Sequence, residues 1–312
     1  MRLKAGRPSL RRYTALFDVP PATGELSVTF LGVSTLLLTD GESAILTDGF
    51  FTRPPMLRTL LGRIGPDRAR IGESLARAGV STSSTTGDTG RLEAVVPVHS
   101  HYDHALDSAA VAERTGAVLV GGESTANLGR GHGLPAGQIL VAAPGAPIEL
   151  GAWTVTLVES HHCPPDRFPG EITEPVVMPT KVGSFKCGEA WSVLARHRSG
   201  TSALIQGSAG FVPGALAGHR ADVAYLGVGM LGLQPASYIE DYWAETVRTV
   251  GARRAVLTHW DDFFRSLDQP LRALPYAGDD LDVTISVLSR LAEQDGVALS
   301  LPTLWQRQDP WA

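Results

Sequence analysis

The sequence predicts an α/β protein, and three observations support this fold class. The apolar run from Leu92 to Val98 is typical of a buried strand, and the amphipathic segment from Ala105 to about Thr115 is typical of a short helix that ends at Gly116. The pair Asp40-Gly41 separates two apolar stretches and indicates a β-hairpin. The chain has 312 residues, of which 43% are hydrophobic, so it can bury one large core.

Further strands and one more helix are predicted along the chain. The hairpin consists of a first stretch from Leu26 to Leu38 and a second from Ala44 to Asp48. A helix is predicted from about Arg68 to Ala78, and the polar stretch from Ser81 to Gly90 predicts a surface loop. Later strands are expected at Trp153–Ser160, Thr201–Gln206 and Ala255–Thr258.

Two isolated histidines are assigned to the surface. His132 lies in the glycine-rich run from Gly129 to Pro135, which predicts a flexible loop. His197 lies in a hairpin predicted from Trp191 to Gly200, where we expect it to face solvent.

The residues from His99 to His104 combine three histidines with one aspartate. Side chains alternate along a strand, so His99 and His101 point the same way and can share a first metal ion. Asp103 and His104 follow at the corner between strand and helix, where they can bind a second ion about 3.5–4 Å away. Imidazoles and a carboxylate suit zinc and are compatible with iron or manganese. This cluster predicts a metal site.

The HxHxDH string of residues 99–104, placed after a buried strand, resembles the signature of the metallo-β-lactamase superfamily. The resemblance implies an αββα four-layer sandwich, in which two mixed β-sheets carry helices on their outer faces. It extends from about Leu26 to His259 and on towards the C-terminus. We therefore expect a single domain over residues 26–312, with residues 1–25 as an N-terminal extension packed on it.

The same resemblance implies further residues of the metal site. One of His161 and His162 would complete the ligands of the first ion; we favour His162, with His161 as the alternative. His259, at the end of an apolar strand, would complete those of the second ion, and Asp48 would hold a ligand imidazole through its remote N–H. The predicted metal ligands are therefore His99, His101, Asp103, His104, His162 and His259.

One residue departs from the family pattern. Many relatives carry an aspartate that bridges both ions after the strand that ends at Gln206, and this chain has Ser208 there. A hydroxyl is a weak, neutral ligand, so the second ion should bind less tightly. Ser208 would either donate a hydrogen bond to a bridging hydroxide or close a tight turn.

The resemblance implies a metal-dependent hydrolase with one or two Zn²⁺ ions, or Fe or Mn in their place. A metal-bound hydroxide would cleave an ester, lactone, amide or phosphodiester bond. Asp103 is the predicted catalytic residue, because it would orient the hydroxide or act as a general base at a single ion. The alternatives are a di-iron redox member of the same superfamily and a metal-binding protein without turnover.

The predicted substrate is a small organic or lipid-like molecule. The stretch from Phe50 to Leu61 and the proline-rich stretch from Cys163 to Gly188 would form a partly apolar entrance. Within and beside these segments we predict three substrate-lining residues: Phe50, Tyr102 and Cys163.

Charge and composition argue against some classes of binding partner. The net charge is −5, and no stretch interleaves aromatic residues with Lys and Arg, so we expect no nucleic-acid partner. The sequence has no apolar run of the roughly 18–20 residues that a transmembrane helix needs, and no secretory signal, so the default expectation is a cytoplasmic protein. Cys163 and Cys187 fit reduced thiols, with a disulfide between them as the alternative. The residues favour no particular oligomeric state.

Overall fold

Two seven-stranded β-sheets form the centre of the described chain, residues 4–80 and 90–312 of a computed structural model. The predicted loop at 81–90 lies outside the described residues except for Gly90. Strands are numbered in chain order. The first sheet contains β1 (Ser27–Phe30), β2 (Leu36–Thr39), β3 (Ser43–Thr47), β4 (Arg91–Val96), β5 (Val118–Gly121), β6 (Ile139–Val141) and β14 (Arg307–Gln308). The second contains β7 (Pro147–Leu150), β8 (Trp153–Ser160), β9 (Ala190–His197), β10 (Ser202–Gln206), β11 (Val223–Gly227), β12 (Arg254–Thr258) and β13 (Ala298–Ser300).

Both sheets are mixed. The first has the order β14-β1-β2-β3-β4-β5-β6 and the second β13-β12-β11-β10-β9-β8-β7. In the first, β14 to β3 pair antiparallel and β3 to β6 parallel. In the second, β13 to β10 pair parallel and β10 to β7 antiparallel. The carboxyl ends of β10, β11 and β12 therefore lie at one edge of the second sheet.

Helices cover the outer faces of the sheets. They are α1 (Met56–Leu61), α2 (Arg68–Arg77), α3 (Tyr102–Ala105), α4 (Ser108–Thr115), α5 (Glu123–His132), α6 (Ala236–Trp243) and α7 (Leu281–Asp295). A π-helical segment, Ala244–Arg248, continues α6. Short 3-10 turns occur at Leu10–Leu16, Ala136–Gln138, Val182–Ser184 and Leu231–Leu233.

Strand alternation builds the layers. In β2, Leu36 and Leu38 join the core between the two sheets, together with Val193 of the second sheet. Leu37 points the other way, into a separate core with Leu75 of α2. Because successive side chains of a strand face opposite sides, one apolar strand supplies both cores. The predicted αββα arrangement of two mixed sheets between helices is confirmed.

Several local predictions hold and others need correction. The hairpin at Asp40-Gly41 is present, with Thr39 paired to Ala44, and Gly116 (φ 76°) caps α4 in the left-handed region. The stretch from Leu26 to Leu38 is two strands, because the chain turns at Val33 (φ 53°). The helix predicted from Ala105 to Thr115 is likewise divided into α3 and α4.

The assignment of His132 to a loop and that of His197 to a solvent-facing position are wrong. His132 ends α5 rather than lying in a loop, and its Nε2 lies 3.1 Å from Glu113 Oε2. His197 is 7% exposed rather than facing solvent. Its Nε2 lies 3.1 Å from Asp40 Oδ2 and its ring packs against Trp153, which explains its burial.

The N-terminal residues contact the rest of the chain. Leu16 packs on the core between the sheets, and its carbonyl accepts a hydrogen bond from the backbone N–H of Leu301. Lys4 and Arg7 form ion pairs with Asp280 and Asp262. Within the described ranges, no helix has the length and apolarity to cross a bilayer.

Asp67 caps the N-terminus of α2. Its Oδ1 accepts hydrogen bonds from the backbone N–H groups of Ala69 (3.1 Å) and Arg70 (3.2 Å). We expect Asp67→Ala to lower the free energy of unfolding by about 1 kcal/mol in urea denaturation, because two backbone donors lose their acceptor. Asp67→Asn keeps an acceptor oxygen and should lose less than half as much. Equal losses in the two variants would argue against the cap.

Candidate metal centre

The predicted metal ligands lie in the loops that follow strands of both sheets and, for Asp103 and His104, in the short helix α3. Asp48 directly follows β3, His99 follows β4, His162 follows β8 and His259 directly follows β12. Loops rather than regular strands carry these side chains, which lets residues far apart in the chain converge. The structure brings all six predicted metal ligands into one cluster of side chains.

His99 and His101 form the first group, together with His162. Nε2 of His99 lies 3.0 Å from Nδ1 of His101. The other nitrogen of His101, Nε2, faces Asp166 Oδ1 at 3.3 Å and the Phe168 carbonyl oxygen at 3.4 Å. With Nε2 as the donor, Nδ1 of His101 presents a lone pair towards His99. The His162 ring centroid lies 5.1 Å from that of His99 and 4.7 Å from that of His101.

Asp103, His104 and His259 form the second group, whose ligand atoms all lie within 4.8 Å of one another. Oδ2 of Asp103 lies 3.4 Å from His259 Nε2 and 3.9 Å from His104 Nε2. The rings of His99 and His104 are 4.1 Å apart, so the two groups are in contact. Two adjacent ligand sets of this kind can hold one or two metal ions.

Asp48 contacts Nδ1 of His104, the ring nitrogen that faces away from the second group. Its Oδ2 accepts a hydrogen bond from His104 Nδ1 at 2.8 Å, and its Oδ1 accepts one from the backbone N–H of Val98 at 3.0 Å. Asp48 has a φ of 53°, in the left-handed region that aspartate tolerates better than most residues. The backbone conformation turns the carboxylate towards the site, and its contact fixes the imidazole tautomer.

Burial and neighbouring charges set the protonation of the cluster. Burial lowers the pKa of His99 well below its usual range, and the adjacent imidazoles lower it further. Burial also lowers the pKa of His101, and it lowers that of His162 to about 4. Burial opposes a charge on His104 as well, but Asp48 and Asp103 outweigh it and raise its pKa.

The Asp103 carboxyl is ionised. Burial alone would raise its pKa, but the charges of His104 and His259 and a hydrogen bond with His259 lower it strongly. The centre therefore combines one anionic oxygen with several neutral imidazoles, a donor set suited to a divalent metal ion.

One atom tests directly whether these residues fit a metal ion. Nε2 of His104 is a buried polar atom without a hydrogen-bond partner among the described residues. Leaving such a nitrogen unpaired costs free energy. Because Nδ1 donates to Asp48, Nε2 is the nitrogen that faces the second group, where an ion would take the place of a proton and satisfy it. The residues fit the metal that the family resemblance implies.

The structure distinguishes the two histidines that follow β8. His162 turns inwards against His99 and His101, and its Nδ1 donates to the Cys163 carbonyl oxygen at 2.7 Å, which leaves Nε2 free. His161 is exposed. The side chain brought to the cluster is therefore that of His162.

Ser208 holds the loop that carries His162. Its Oγ accepts a hydrogen bond from the backbone N–H of Cys163 at 3.0 Å. The loop also approaches closely at Gly210, where a Cβ would lie 2.0 Å from the His161 carbonyl oxygen. Ser208 thus stabilises the turn next to the metal centre.

Two predicted substrate-lining residues are not at the surface. Phe50 is 0% exposed and packs in a core with Val33 and Tyr102, so its assignment is wrong. Cys163 is also 0% exposed, with its sulfur beside the side chain of Gln234, so its assignment is wrong too. The apolar character of Phe50 and Cys163 was the reason to predict contact with substrate, but both side chains are packed in the protein interior. Tyr102 is 7% exposed and stays a prediction.

Two residues beside the predicted metal ligands could not be assigned to the site from the sequence. Cys187 Sγ lies within 4.8 Å of ligand atoms of His99 and His101. Asp166 contacts His101 and lines an open cleft of about 410 Å³ beside His162. Both residues lie in the proline-rich stretch, whose irregular sequence gives no periodicity from which to place a side chain. Cys163 and Cys187 are free thiols.

The metal-free protein should lose stability as the pH falls. His162 has an ordinary pKa of 6.5 and a folded-state pKa of about 4, so the unfolded chain binds more protons between these values. His99 and His101 shift in the same direction. His104, whose pKa is raised, shifts in the opposite direction: its contribution to stability is present at low pH and is lost as the pH rises above its ordinary pKa of 6.5, so it opposes the other histidines only above that pH.

Urea unfolding of the metal-free protein checks this at about pH 6 and about pH 4.5, both below the ordinary pKa of His104. We expect a lower free energy of unfolding at the lower pH and a weaker pH dependence in His162→Gln. A pH-independent wild-type value would contradict the assigned burial of neutral imidazoles.

Comparison with solved structures agrees with the architecture. A possible metal-dependent hydrolase from Veillonella parvula matches 90% of this chain and 98% of its own, with a TM-score of 0.53 and 13% identity. CmlA, a diiron β-hydroxylase from Streptomyces venezuelae, matches 93% of this chain and 55% of its own, with a TM-score of 0.51 and 12% identity. The metallo-β-lactamase fold protein YhfI from Bacillus subtilis matches 92% and 95%, with a TM-score of 0.47 and 13% identity.

The two sheets, their strand order and their helical outer layers give this chain the metallo-β-lactamase fold. The chain spans about half the length of CmlA. No family model matches the sequence. A search of curated proteins likewise gives no match.

Proposed function

We propose that the protein is a metal-dependent hydrolase of a small organic or lipid-like substrate. The observation that carries this proposal is the convergence of six ligand side chains in two touching groups, with the buried Nε2 of His104 unpaired and aimed into the second. A structural role alone would not require a buried nitrogen without a partner.

A divalent ion bound there would acidify a water molecule and polarise the scissile carbonyl or phosphoryl group. The chain's own residues supply the orientation. Asp48 fixes His104 and Asp166 fixes His101, so neither ring can rotate freely. Asp103, ionised and in contact with His259, is placed to orient the attacking water and to accept its proton.

The cleft beside His162 supports a neutral substrate group. Its volume of about 410 Å³ lies in the range of small-molecule sites. Phe211 and Tyr238 line it with rings 5.4 Å apart, and Asp166 adds a carboxylate. None of the described lining residues is Lys or Arg. We therefore favour an ester, lactone or amide over an anionic phosphodiester.

A substrate panel tests the proposal. Purified protein loaded separately with Zn²⁺, Mn²⁺ or Fe²⁺ is assayed with aryl esters, lactones, amides and phosphodiesters. We expect turnover of an uncharged ester, lactone or amide that is lost on chelation and restored by metal. Absence of hydrolysis in all metal forms, with substrate-dependent oxygen consumption in the iron form, would contradict a hydrolase and favour the redox alternative.

A further inference from the structure

We propose that the thiolate of Cys187 is a ligand of the first metal ion, alongside His99 and His101. The inference rests on the metal site of the proposed function and adds a sulfur to it. Sγ of Cys187 and the ligand nitrogens of both histidines lie within 4.8 Å of one another, and all three residues are buried. Ligands at about 2.0–2.3 Å from a common ion are separated by no more than such distances.

The backbone holds Cys187 in this place from two sides. Its carbonyl oxygen accepts a hydrogen bond from the N–H of Ser100, the residue between His99 and His101, at 2.8 Å. Its own N–H donates to the carbonyl oxygen of Phe168 at 2.8 Å. That same carbonyl faces His101 Nε2. The position of the sulfur is therefore tied to the segment that carries both imidazoles.

The first group contains no anionic ligand atom of its own. Ser208 occupies the position where the family resemblance implies a carboxylate, and its Oγ is engaged with the backbone of Cys163. Its three residues, His99, His101 and His162, are all imidazoles, and the Asp166 carboxylate contacts His101 at Nε2, the nitrogen that does not face His99. A thiolate supplies the missing negative charge, and sulfur is a good ligand for zinc, iron and cobalt. On binding, the S–H bond breaks, a metal–sulfur bond forms and the proton leaves to solvent.

A sulfur ligand would also give the two ligand groups different numbers of protein ligands. Cys187 would join His99 and His101, and His162, whose ring lies 5.1 Å from that of His99 and 4.7 Å from that of His101, would be the fourth candidate ligand, the number typical of closed zinc sites. The second group has three, Asp103, His104 and His259. On this assignment an open coordination position would belong to the second group, next to the carboxylate proposed to orient the water.

Cys163 provides a matched control. It is the second cysteine of the chain and is buried like Cys187. Its Sγ lies 3.7 Å from Gln234 Nε2 and 3.7 Å from the Pro164 carbonyl oxygen. It is not among the grouped ligand atoms of the described residues. Cys163→Ser and Cys187→Ser thus remove the same chemical group from two buried positions.

Cobalt substitution of the full-length chain tests the inference. We expect the wild type and Cys163→Ser to show a near-ultraviolet sulfur-to-cobalt charge-transfer band with the first equivalent of Co²⁺. Cys187→Ser should lose the band, keep the visible cobalt bands and bind the first equivalent at least about tenfold more weakly. X-ray absorption of the zinc-loaded wild type, which requires no variant, should show a Zn–S distance of about 2.3 Å.

Failure of the sulfur ligand and failure of the metal site itself would give different results. Bound cobalt without the charge-transfer band, or a band that persists in Cys187→Ser, would overturn the sulfur ligand and leave the metal site standing. Wild-type protein that binds neither cobalt nor zinc would overturn the metal site of the proposed function as well.

Discussion

Asp103→Asn is expected to lower kcat for hydrolysis by about 10²–10⁴-fold, the contribution typical of a positioned acid–base group. The buried carboxylate of Asp103 is ionised because it lies among His104 and His259. An amide keeps the shape of the side chain but loses the charge and cannot accept a proton. The effect should appear in kcat more than in KM, because the substrate cleft beside His162 is unaltered.

The measurement is steady-state kinetics on the best substrate of the panel, with metal content determined for each preparation. Asp241→Asn, on the exposed face of α6, makes the same chemical change far from the cluster and should leave kcat unchanged. Full activity of Asp103→Asn with wild-type metal content would rule out the assigned role.

Arg53→Met is expected to lower the free energy of unfolding by about 3–5 kcal/mol, because it leaves a buried carboxylate without its partner. Arg53 Nη2 donates to Asp261 Oδ2 at 2.6 Å, and both side chains are 0% exposed. Asp261 Oδ1 accepts a hydrogen bond from the Val33 N–H at 2.9 Å, and the Val33 carbonyl accepts one from the His259 N–H at 2.8 Å. The ion pair therefore supports a metal-site residue.

Denaturant unfolding measures this effect, and the double variant Arg53→Met, Asp261→Leu is its control. Replacing both charges by apolar groups should recover much of the loss, since no unpaired charge stays buried. Equal destabilisation of the single and double variants would show that packing around Arg53, and not its charge, is what matters. A single variant as stable as the wild type would contradict the buried pair.

Local pattern was enough to predict the centre of the site. The pattern predicts that His99 and His101 share one ligand group and that Asp103 and His104 belong to another, and the structure has this division, although β4 ends at Val96 and the first two histidines lie in the bend after it and not in a strand. The continuous apolar run of β2 is likewise typical of a strand buried on both faces. These features depend on neighbours in sequence, which is why they could be predicted without a structure.

Contacts between residues far apart in the chain could not be predicted from the sequence. Asp166 and Cys187 reach the cluster from an irregular proline-rich loop. Phe50 looked like a substrate contact because it follows a site residue, yet it fills a core with residues distant in the chain. His197 is buried because its ring packs against Trp153 and its Nε2 contacts Asp40. In each case tertiary packing, and not local pattern, decides the environment.

The metal content of protein purified without chelators tests the central claim most directly. We expect at least about one equivalent of a transition metal in the wild type and a clear loss in His99→Ala, because His99 is buried against the other imidazoles of both groups. Less than about 0.5 equivalents in the wild type, unchanged in His99→Ala and after incubation with zinc, iron or manganese, would contradict a metal centre at these residues.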